Sequence, residues 1–386
     1  MRVNFDAVSG SLEHPAAAAA RAHAVSDGWA DPQRAHTEGR AARAILDRAR
    51  EQTAAALGAR PDEVAFTGSL AQSHRRAVAG LAIGRARTST HVVTSAVEHS
   101  ALLHATSALA DGWSAGPGAK PWQRTVVGVD ATGAVDPAQF AATVTAESTA
   151  FAVLQAASAE VGTRQPVAAA HALISGAAPM LVDATAALGE PGLRNLPWDV
   201  LSAGASHLGA PAHCAVLAVR SGTRWRSPDR PTDAYEHGWV PGQPNIPAIA
   251  AFAAAVDAAA DTSRVDRLRA LTELIRTRVP QLVPDCVIVG AADGRVSHIV
   301  TMSFLYVSGA ALAEELDAAG FAVASGSACS SDALTPSHVL AAMGALTEGN
   351  IRVSLPWDAT AEQVDAFLHA LPGCVSRVRA KFGAPA

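Results

Sequence analysis

Lysine is almost absent from this sequence of 386 residues. Among its 30 basic residues only Lys120 and Lys381 are lysines, and the rest are arginines. An arginine side chain stays protonated at neutral pH and cannot act as an amine nucleophile. Any chemistry that needs a lysine amine, such as Schiff-base formation, is therefore restricted to two positions in the chain.

Cysteine is also scarce, and the four cysteines are far apart in the sequence: Cys214, Cys286, Cys329 and Cys374. No C-x-x-C pair is present, which disfavours both a disulfide framework and a structural zinc site. We expect no metal centre. By sequence context, Cys214 and Cys286 lie in or next to apolar strands and are predicted to be buried. Cys374 follows Pro372-Gly373 and is predicted to be partly exposed.

Long apolar runs and excess positive charge are missing as well. No stretch of about 18 uninterrupted apolar residues occurs, so no membrane span is expected. The N-terminus has no basic region followed by an apolar one, which disfavours a signal peptide. The net charge of −5 argues against a surface for nucleic acid. We therefore expect a cytoplasmic protein without a nucleic-acid or membrane partner.

Strand-like and helical patterns alternate along the first part of the chain. Short strand-like runs, such as the β-branched residues 91–94 and the apolar residues 180–182, are separated by amphipathic helical segments such as 34–57. This alternation predicts an α/β fold with a mostly parallel sheet between helices. The pattern changes near residue 245. We predict a large domain over residues 13–245 and a smaller α+β domain formed by residues 1–12 and 246–386.

The most specific chemical signal surrounds Cys329. It lies in SGSACSS, residues 325–331, where glycine and serine on both sides suit a solvated loop that carries a reactive thiol. A buried loop cysteine is the alternative from spacing alone. Downstream, residues 350–355 (NIRVSL) read as a strand that presents Arg352. This side chain suits bidentate binding of a carboxylate, or else a surface ion pair.

Together these segments resemble the cysteine desulfurases, which belong to the class-V branch of the fold-type I pyridoxal-phosphate (PLP) enzymes. The family's motifs S-G-S-A-C-S/T, P-S-x-V-L and I-R-x-S-L match residues 325–330, 336–340 and 351–355. Further matches are TSAVEH at 94–99, EVGTRQP at 160–166 and VDA at 182–184. The resemblance implies that Cys329 and Arg352 are the catalytic positions, that His99 stacks on the PLP ring and that Asp183 pairs with its pyridine nitrogen.

The departures from the family pattern are equally specific. The family's S-x-S-A-H-K-x-x-G-P aligns with SAGASHLGAP at 202–211, which puts Ser206 at the histidine and His207 at the Schiff-base lysine. Neither of the two lysines lies in a matching segment. The phosphate-binding turn S-G-A-T-E-S is GSLAQS at 68–73, and R-x-R-R-S-G-T-E-N is HGWVPGQPN at 237–245. Each lost phosphate donor removes a hydrogen bond of about 1–3 kcal/mol.

Three functions therefore remain open. The first is sulfur transfer through a Cys329 persulfide, with His99, Asp183, Ser206 and His207 as a vestigial PLP site. The second is a non-catalytic binding or regulatory subunit, a pseudoenzyme that pairs with an active partner. The third is an ordinary PLP-dependent desulfurase or aminotransferase, which the scarcity of lysine disfavours. PLP is the cofactor that the resemblance implies, but we predict no covalent PLP. A homodimer is expected, with an active desulfurase or a sulfur acceptor as further partner.

Overall fold

The computed structural model describes residues 2–111, 121–144, 149–229, 235–325, 336–381 and 383. In chain order, its strands are β1 (Val3–Asn4), β2 (Val64–Thr67), β3 (His91–Ser95), β4 (Gln123–Val127), β5 (Phe151–Val153), β6 (Met180–Asp183), β7 (Val200–Gly204), β8 (Ala215–Val219), β9 (Cys286–Val289), β10 (Ile299–Phe304), β11 (Phe321–Ala322), β12 (Ala324–Ser325) and β13 (Asn350–Ser354). The α-helices are α1 (Pro15–Asp27), α2 (Thr37–Leu57), α3 (Leu70–Arg85), α4 (Ser100–Ala110), α5 (Pro137–Thr143), α6 (Val167–Ile174), α7 (Ile246–Ala258), α8 (Thr262–Leu282), α9 (Gly309–Ala318), α10 (His338–Ala342) and α11 (Ala361–Lys381).

Seven strands form the first sheet, in the order β2-β8-β7-β6-β5-β3-β4. The five strands from β7 to β4 are parallel to one another, while β8 is antiparallel to both of its neighbours. Every residue of β6, β7 and β8 is buried, as expected for strands covered on both faces. The predicted mostly parallel sheet between helices is confirmed.

The two faces of this sheet belong to separate apolar clusters. Met180 and Val182 of β6 lie in one cluster with residues of α2 and α7, and Leu181 lies in the other with residues of α3 and α4. This division follows from the strand itself, because successive side chains point to opposite faces. The short apolar runs in the sequence are thus buried strands packed on both sides.

The carboxyl ends of β3, β5, β6 and β7 lie along one edge of the sheet. In open α/β sheets this edge is where ligands bind, since the loops that follow the strands converge there. His99 follows β3, Asp183 ends β6, and Ser206 and His207 follow β7. The topology therefore brings all four predicted cofactor positions to the same edge.

A second sheet has the strand order β12-β13-β10-β9 and is antiparallel throughout. The N-terminal β1 pairs separately with β11. Helices α8, α9 and α11 contribute to the core of this unit, in which the rings of Phe5, Phe321 and Phe367 pack with centroids 5.6–6.3 Å apart. This arrangement is the smaller α+β unit expected from the sequence.

Helix α7 packs with the first sheet, although the predicted large domain ends at residue 245. Its Ile249, Phe252 and Val256 are buried in the cluster on one face of that sheet. The Phe252 ring lies against Phe66 of β2, with centroids 6.0 Å apart. The division at residue 245 stays a prediction, and the packing of α7 favours a boundary between α7 and α8.

Within the described part of the chain, no single helix is long and apolar enough to cross a membrane. Helices α7 and α8 reach the required length and hydropathy only when they are taken together. The chain bends by 73° between them.

Candidate functional site

His74, His99 and Asp183 lie together at the carboxyl edge of the first sheet. His74 is near the start of α3, and His99 caps α4, its Nδ1 accepting a hydrogen bond from the Ala101 backbone at 3.1 Å. The Nε2 atom of His74 is 3.4 Å from Oδ2 of Asp183. The rings of His74 and His99 are 5.4 Å apart between centroids and tilted by 57°. His74 thus contacts both of the predicted site residues Asp183 and His99.

Asp183 is a buried carboxylate with well-defined donors. Its Oδ1 accepts hydrogen bonds from the backbone N of Thr185 at 2.9 Å and from the Thr185 hydroxyl at 2.6 Å. Burial would raise the pKa of Asp183, but His74, His99 and Thr185 outweigh burial and lower the pKa to about 2. Asp183 is therefore ionised at neutral pH and gives the site a fixed negative charge.

His99 is a neutral ring at this site. Burial, together with the nearby His74, lowers the pKa of His99 to about 4. Because Nδ1 accepts a hydrogen bond from the α4 backbone, the proton of the neutral ring lies on Nε2. The helix cap therefore fixes both the orientation and the tautomer of His99.

Glu98 is a second buried carboxyl group beside Asp183. Its Oε1 accepts hydrogen bonds from the Ser95 hydroxyl at 2.5 Å and the Gln155 backbone at 3.0 Å, while Oε2 is buried and has no hydrogen-bond partner among the described residues. Burial raises the pKa of Glu98 to about 8, and the negative charge of Asp183 acts in the same direction. Glu98 is thus held as a neutral acid at pH 7, in contrast to its neighbour.

The turn before α3 bonds two of its backbone donors with its own side chains. The hydroxyl of Ser69 accepts a hydrogen bond from the Gln72 backbone at 3.2 Å and so caps the helix. The Gln72 side chain folds back, and its Oε1 accepts from the Gly68 backbone at 2.7 Å. Free N–H groups at a helix N-terminus are what an anion binds. Two such groups in this turn are instead bonded to side chains of the turn itself.

His207, at the predicted lysine position, has its contacts in a different cluster. Its Nε2 donates to the Leu188 carbonyl at 3.1 Å, and its ring stacks on His298 with centroids 4.9 Å apart and planes within 13°. Burial and the neighbouring His298 lower the pKa of His207 to about 3. His207 is therefore a neutral ring, bonded to Leu188 and stacked on His298, while Asp183 is bonded to Thr185 and faces His74 at 3.4 Å.

Glu190 supplies the negative charge of this second cluster. Its Oε1 is 3.6 Å from Nδ1 of His298 and accepts from the Ser297 backbone at 2.9 Å, and its Oε2 accepts from Arg164 at 2.8 Å. Burial would raise the pKa of Glu190, but His298 and Ser297 hold the pKa well below its usual range. The surroundings of His207 are thus an internal ion-pair network.

Ser206 is half-buried and lies under the N-terminal segment of the chain. Its backbone oxygen accepts a hydrogen bond from the Ser11 backbone at 3.2 Å, and the Ser11 hydroxyl donates to the His207 carbonyl at 3.2 Å. The N-terminal segment therefore holds this turn through the backbone carbonyls of Ser206 and His207. A cofactor role for Ser206 and His207 stays a prediction.

Arg352 of β13 is buried, with 4% of its surface exposed. Its guanidinium donates to Oδ1 of Asp6 at 2.9 Å and to the Ala159 carbonyl at 3.2 Å. The sequence leaves carboxylate binding and a surface ion pair as alternatives. The structure gives Arg352 a carboxylate partner from this chain, Asp6, and the pair lies mostly below the surface.

The two ends of the segment around Cys329 meet the rest of the protein near Arg352. On one side β12 pairs with β13, with Ala324 opposite Arg352. On the other side the Ser337 hydroxyl donates to a carboxylate oxygen of Glu160. Burial raises the pKa of Glu160 to about 7. Cys329 itself is in 326–335, outside the described residues.

The other three thiols are poorly suited to react. Cys214 and Cys374 are buried and Cys286 is half-buried. Burial raises the pKa of all three thiols, that of Cys286 to about 12. The partial exposure predicted for Cys374 is wrong, because helix α11 continues through Pro372 and turns Cys374 into the core of the smaller unit. Cys286, predicted to be buried, is the more accessible of the three.

Lys381, the one lysine among the described residues, is exposed and paired with Glu315. The Nζ of Lys381, in the last turn of α11, is 2.6 Å from Oε1 of Glu315, and the Lys381 side chain is 60% exposed. Lys120 is outside the described residues. Over the described ranges, no group of three or more His, Cys, Asp or Glu side chains is arranged to hold a metal ion.

A cleft of about 680 Å³ opens elsewhere, between Trp225, Trp239 and Arg220 among others. None of the predicted site residues lines it. Its charged groups form ion pairs with one another, such as Arg60 with Asp62 and Arg220 with Glu63. The buried carboxyl groups with shifted pKa values lie instead at the carboxyl edge of the first sheet, where the chemistry of this chain is better sought.

Comparison with known proteins agrees with the observed fold. Residues 3–367 match the family model described as aminotransferase class-V. The chain belongs to this family. Cysteine desulfurase IscS 1 of Archaeoglobus fulgidus is 30% identical over 362 residues, which cover 92% of each chain. A cysteine desulfurase of Bradyrhizobium diazoefficiens is 31% identical over 356 residues, 90% of this chain and 87% of the relative.

Solved structures extend the likeness to the whole fold. A NifS-like protein superposes with a TM-score of 0.87 at 24% identity, over 98% of this chain and all of that one. The apo cysteine desulfurase of Thermococcus onnurineus superposes with a TM-score of 0.83 at 19% identity, over 97% and 95% of the two chains. The fold-type I architecture and the resemblance to cysteine desulfurases are thereby confirmed.

Sequence analysis missed His74, Glu98 and His298 as members of these clusters. The helical period of α3 does indicate that His74 is buried. Ala77 and Val78 lie three and four positions further along the same helix face and are fully buried. A histidine on that face must be buried and needs a polar partner. His298 lies between elements and has no such period, so only the fold brings it onto His207.

Proposed function

We propose that this chain is a cysteine-desulfurase-like protein that transfers sulfur through a persulfide on Cys329 and does not carry out PLP-dependent desulfuration. The placement of His207 carries the proposal. At the position of the family's lysine, the chain has a buried neutral imidazole bonded to Leu188 and stacked on His298. An imidazole at this position cannot supply the amine that holds PLP covalently.

The family is PLP-dependent, but the residues of this chain do not fit that group. Besides the missing amine, Oδ2 of Asp183 faces His74 Nε2 at 3.4 Å. At the turn that matches the phosphate-binding segment, the Gly68 N–H is already bonded to Gln72. The amine is thus absent, the carboxylate expected to pair with the ring nitrogen faces His74, and the Gly68 donor of the phosphate-binding turn is bonded to Gln72. These three observations support a function without bound PLP.

Cys329 is the thiol that suits transfer. The other three thiols have raised pKa values, and the thiolate is the attacking form. In the proposed step, the Cys329 thiolate attacks the outer sulfur of a donor persulfide. A new S–S bond forms at Cys329, the donor's S–S bond breaks, and the donor leaves as a thiolate. A second exchange of the same kind passes the outer sulfur to an acceptor thiol.

The anchors of the Cys329 segment support this assignment. Ala324 pairs opposite Arg352 on one side, and Ser337 bonds to Glu160 on the other. The segment therefore starts and ends next to a buried guanidinium, whose positive charge favours thiolates in its vicinity. We further propose that the protein is a cytoplasmic homodimer that exchanges sulfur with an active desulfurase or an acceptor protein.

Sulfide release from free cysteine, measured with and without added PLP, tests the first half of the proposal. We expect no release and no aldimine absorbance band in either case. Incubation with a low-molecular-weight persulfide should then give a protein-bound sulfur that is lost in Cys329→Ser and kept in Cys286→Ser. Sulfide release that depends on PLP would contradict the proposal. Absence of bound sulfur would favour a binding or regulatory subunit instead.

A further inference from the structure

His74 occupies the space between the two residues that define the candidate cofactor pocket. It has no exposed surface, its Nε2 faces Oδ2 of Asp183 at 3.4 Å, and its ring lies 5.4 Å from that of His99. A flat ring with one nitrogen toward the carboxylate, tilted by 57° against the ring of His99, is thus already present. This ring is supplied by α3 of the same chain.

We infer that His74 is a built-in occupant of this pocket, and that its removal opens a binding site for a free, protonatable heteroaromatic ring of the imidazole or pyridine class. The inference rests on the proposed absence of bound PLP and extends it, whereas sulfur transfer through Cys329 could hold without it. It predicts that the intact chain admits no such ring, even without a covalent bond.

The charge of Asp183 defines what the opened site would bind. Its Oδ1 is already satisfied by two donors from Thr185, whereas Oδ2 faces His74. A buried carboxylate oxygen that loses its partner is strongly destabilising. A ligand that replaces His74 must therefore bring an N–H group as well as a flat ring, and a hydrocarbon of the same size lacks that group.

Glu98 and His99, the two groups beside the pocket, are held in place by bonds to their own surroundings. Glu98 is a neutral acid whose Oε1 is held by Ser95 and Gln155. His99 uses Nδ1 to cap α4. Both are fixed by their own elements, so the space left by His74 would keep its shape and remain open to a small ligand.

The test compares full-length wild type, His74→Ala and the double variant His74→Ala/Asp183→Asn. The double variant has the same cavity without the charge. Imidazole, 4-methylpyridine and toluene are added separately, and the midpoint of thermal unfolding is followed. We expect imidazole and 4-methylpyridine to raise the midpoint of His74→Ala with increasing concentration. Wild type should not respond, the double variant should bind at least tenfold more weakly, and toluene should have no such effect.

An equal response of wild type or of the double variant would overturn the inference, as would a folded His74→Ala protein that ignores both nitrogen heterocycles. Should His74→Ala fail to fold, wild type labelled at its histidine rings provides a second measurement by NMR. Addition of millimolar pyridoxal phosphate should leave the ring signals of His74 and His99 unchanged. A saturable shift of these signals would show that the pocket is accessible and would refute the inference.

Discussion

His207→Lys restores the residue type that the family has at this position, and we expect it to fail as a repair. The substitution removes the hydrogen bond to the Leu188 carbonyl, worth about 1 kcal/mol. It also removes the ring stack on His298, worth about 1 kcal/mol. In addition, it buries an amine where burial, His298 and Arg264 all oppose a positive charge.

From these contacts we expect His207→Lys to lower the free energy of unfolding by about 3 kcal/mol. His207→Gln is the matched control, because its amide can keep a donor near Leu188 and introduces no charge. It should lower the free energy of unfolding by only about 1 kcal/mol. Urea unfolding followed by tryptophan fluorescence measures both values.

The functional part of this prediction concerns the cofactor. After addition of PLP, His207→Lys should show no aldimine absorbance band, and borohydride should fix no PLP on residue 207. The physical reason is that the turn at 68–73 offers no free Gly68 N–H and that His74 faces Asp183. A borohydride-stable adduct at position 207 of this variant, together with sulfide release from cysteine, would refute the reasoning about the turn at 68–73 and about His74.

Two further predictions concern the buried charges. The folded-state pKa of Glu98 is raised to about 8, so between pH 4.5 and 8 the folded chain holds a proton that the unfolded chain has lost. The free energy of unfolding of wild type should therefore fall relative to that of Glu98→Gln as pH rises through this range. The expected slope is at most about 1.4 kcal/mol per pH unit. Parallel curves of stability against pH for the two proteins would contradict this prediction. Asp6→Ala removes the hydrogen bond between the Asp6 carboxylate and Arg352 and should lower the free energy of unfolding by about 2 kcal/mol. Asp317→Ala breaks an exposed pair with Arg2 and should change the stability little, so equal losses in the two variants would disprove the assignment.

The sequence predicts the first sheet well because its strands are buried on both faces and appear as short apolar runs. Met180–Asp183 is an example, since every residue is buried and the strand ends at the predicted site residue. The boundary near residue 245 is less well predicted. Helix α7 is apolar on most of its surface, so its pattern shows that it is buried but not against which sheet.

For the candidate site, the sequence predicts which edge of the first sheet each residue lies on. Strand ends follow from the alternation of elements, which places His99, Asp183 and His207 at the same edge of the sheet. What the sequence does not predict is the direction of each side chain. His207 contacts His298 from a distant part of the chain, and Asp183 contacts His74 from another helix. Such pairs depend on tertiary packing, for which local periodicity carries no signal.

The central claim is that Cys329 carries sulfur without PLP, and site-resolved persulfide mapping tests it most directly. The protein is alkylated for timed intervals at neutral pH, before and after incubation with a small persulfide donor, and each cysteine is quantified by mass spectrometry. Cys286 is the internal reference, because it is half-buried and its pKa is raised to about 12. We expect Cys329 to be labelled much faster than Cys286 and the captured persulfide to lie on Cys329. Labelling of Cys329 no faster than Cys286, with no persulfide captured there, would contradict it.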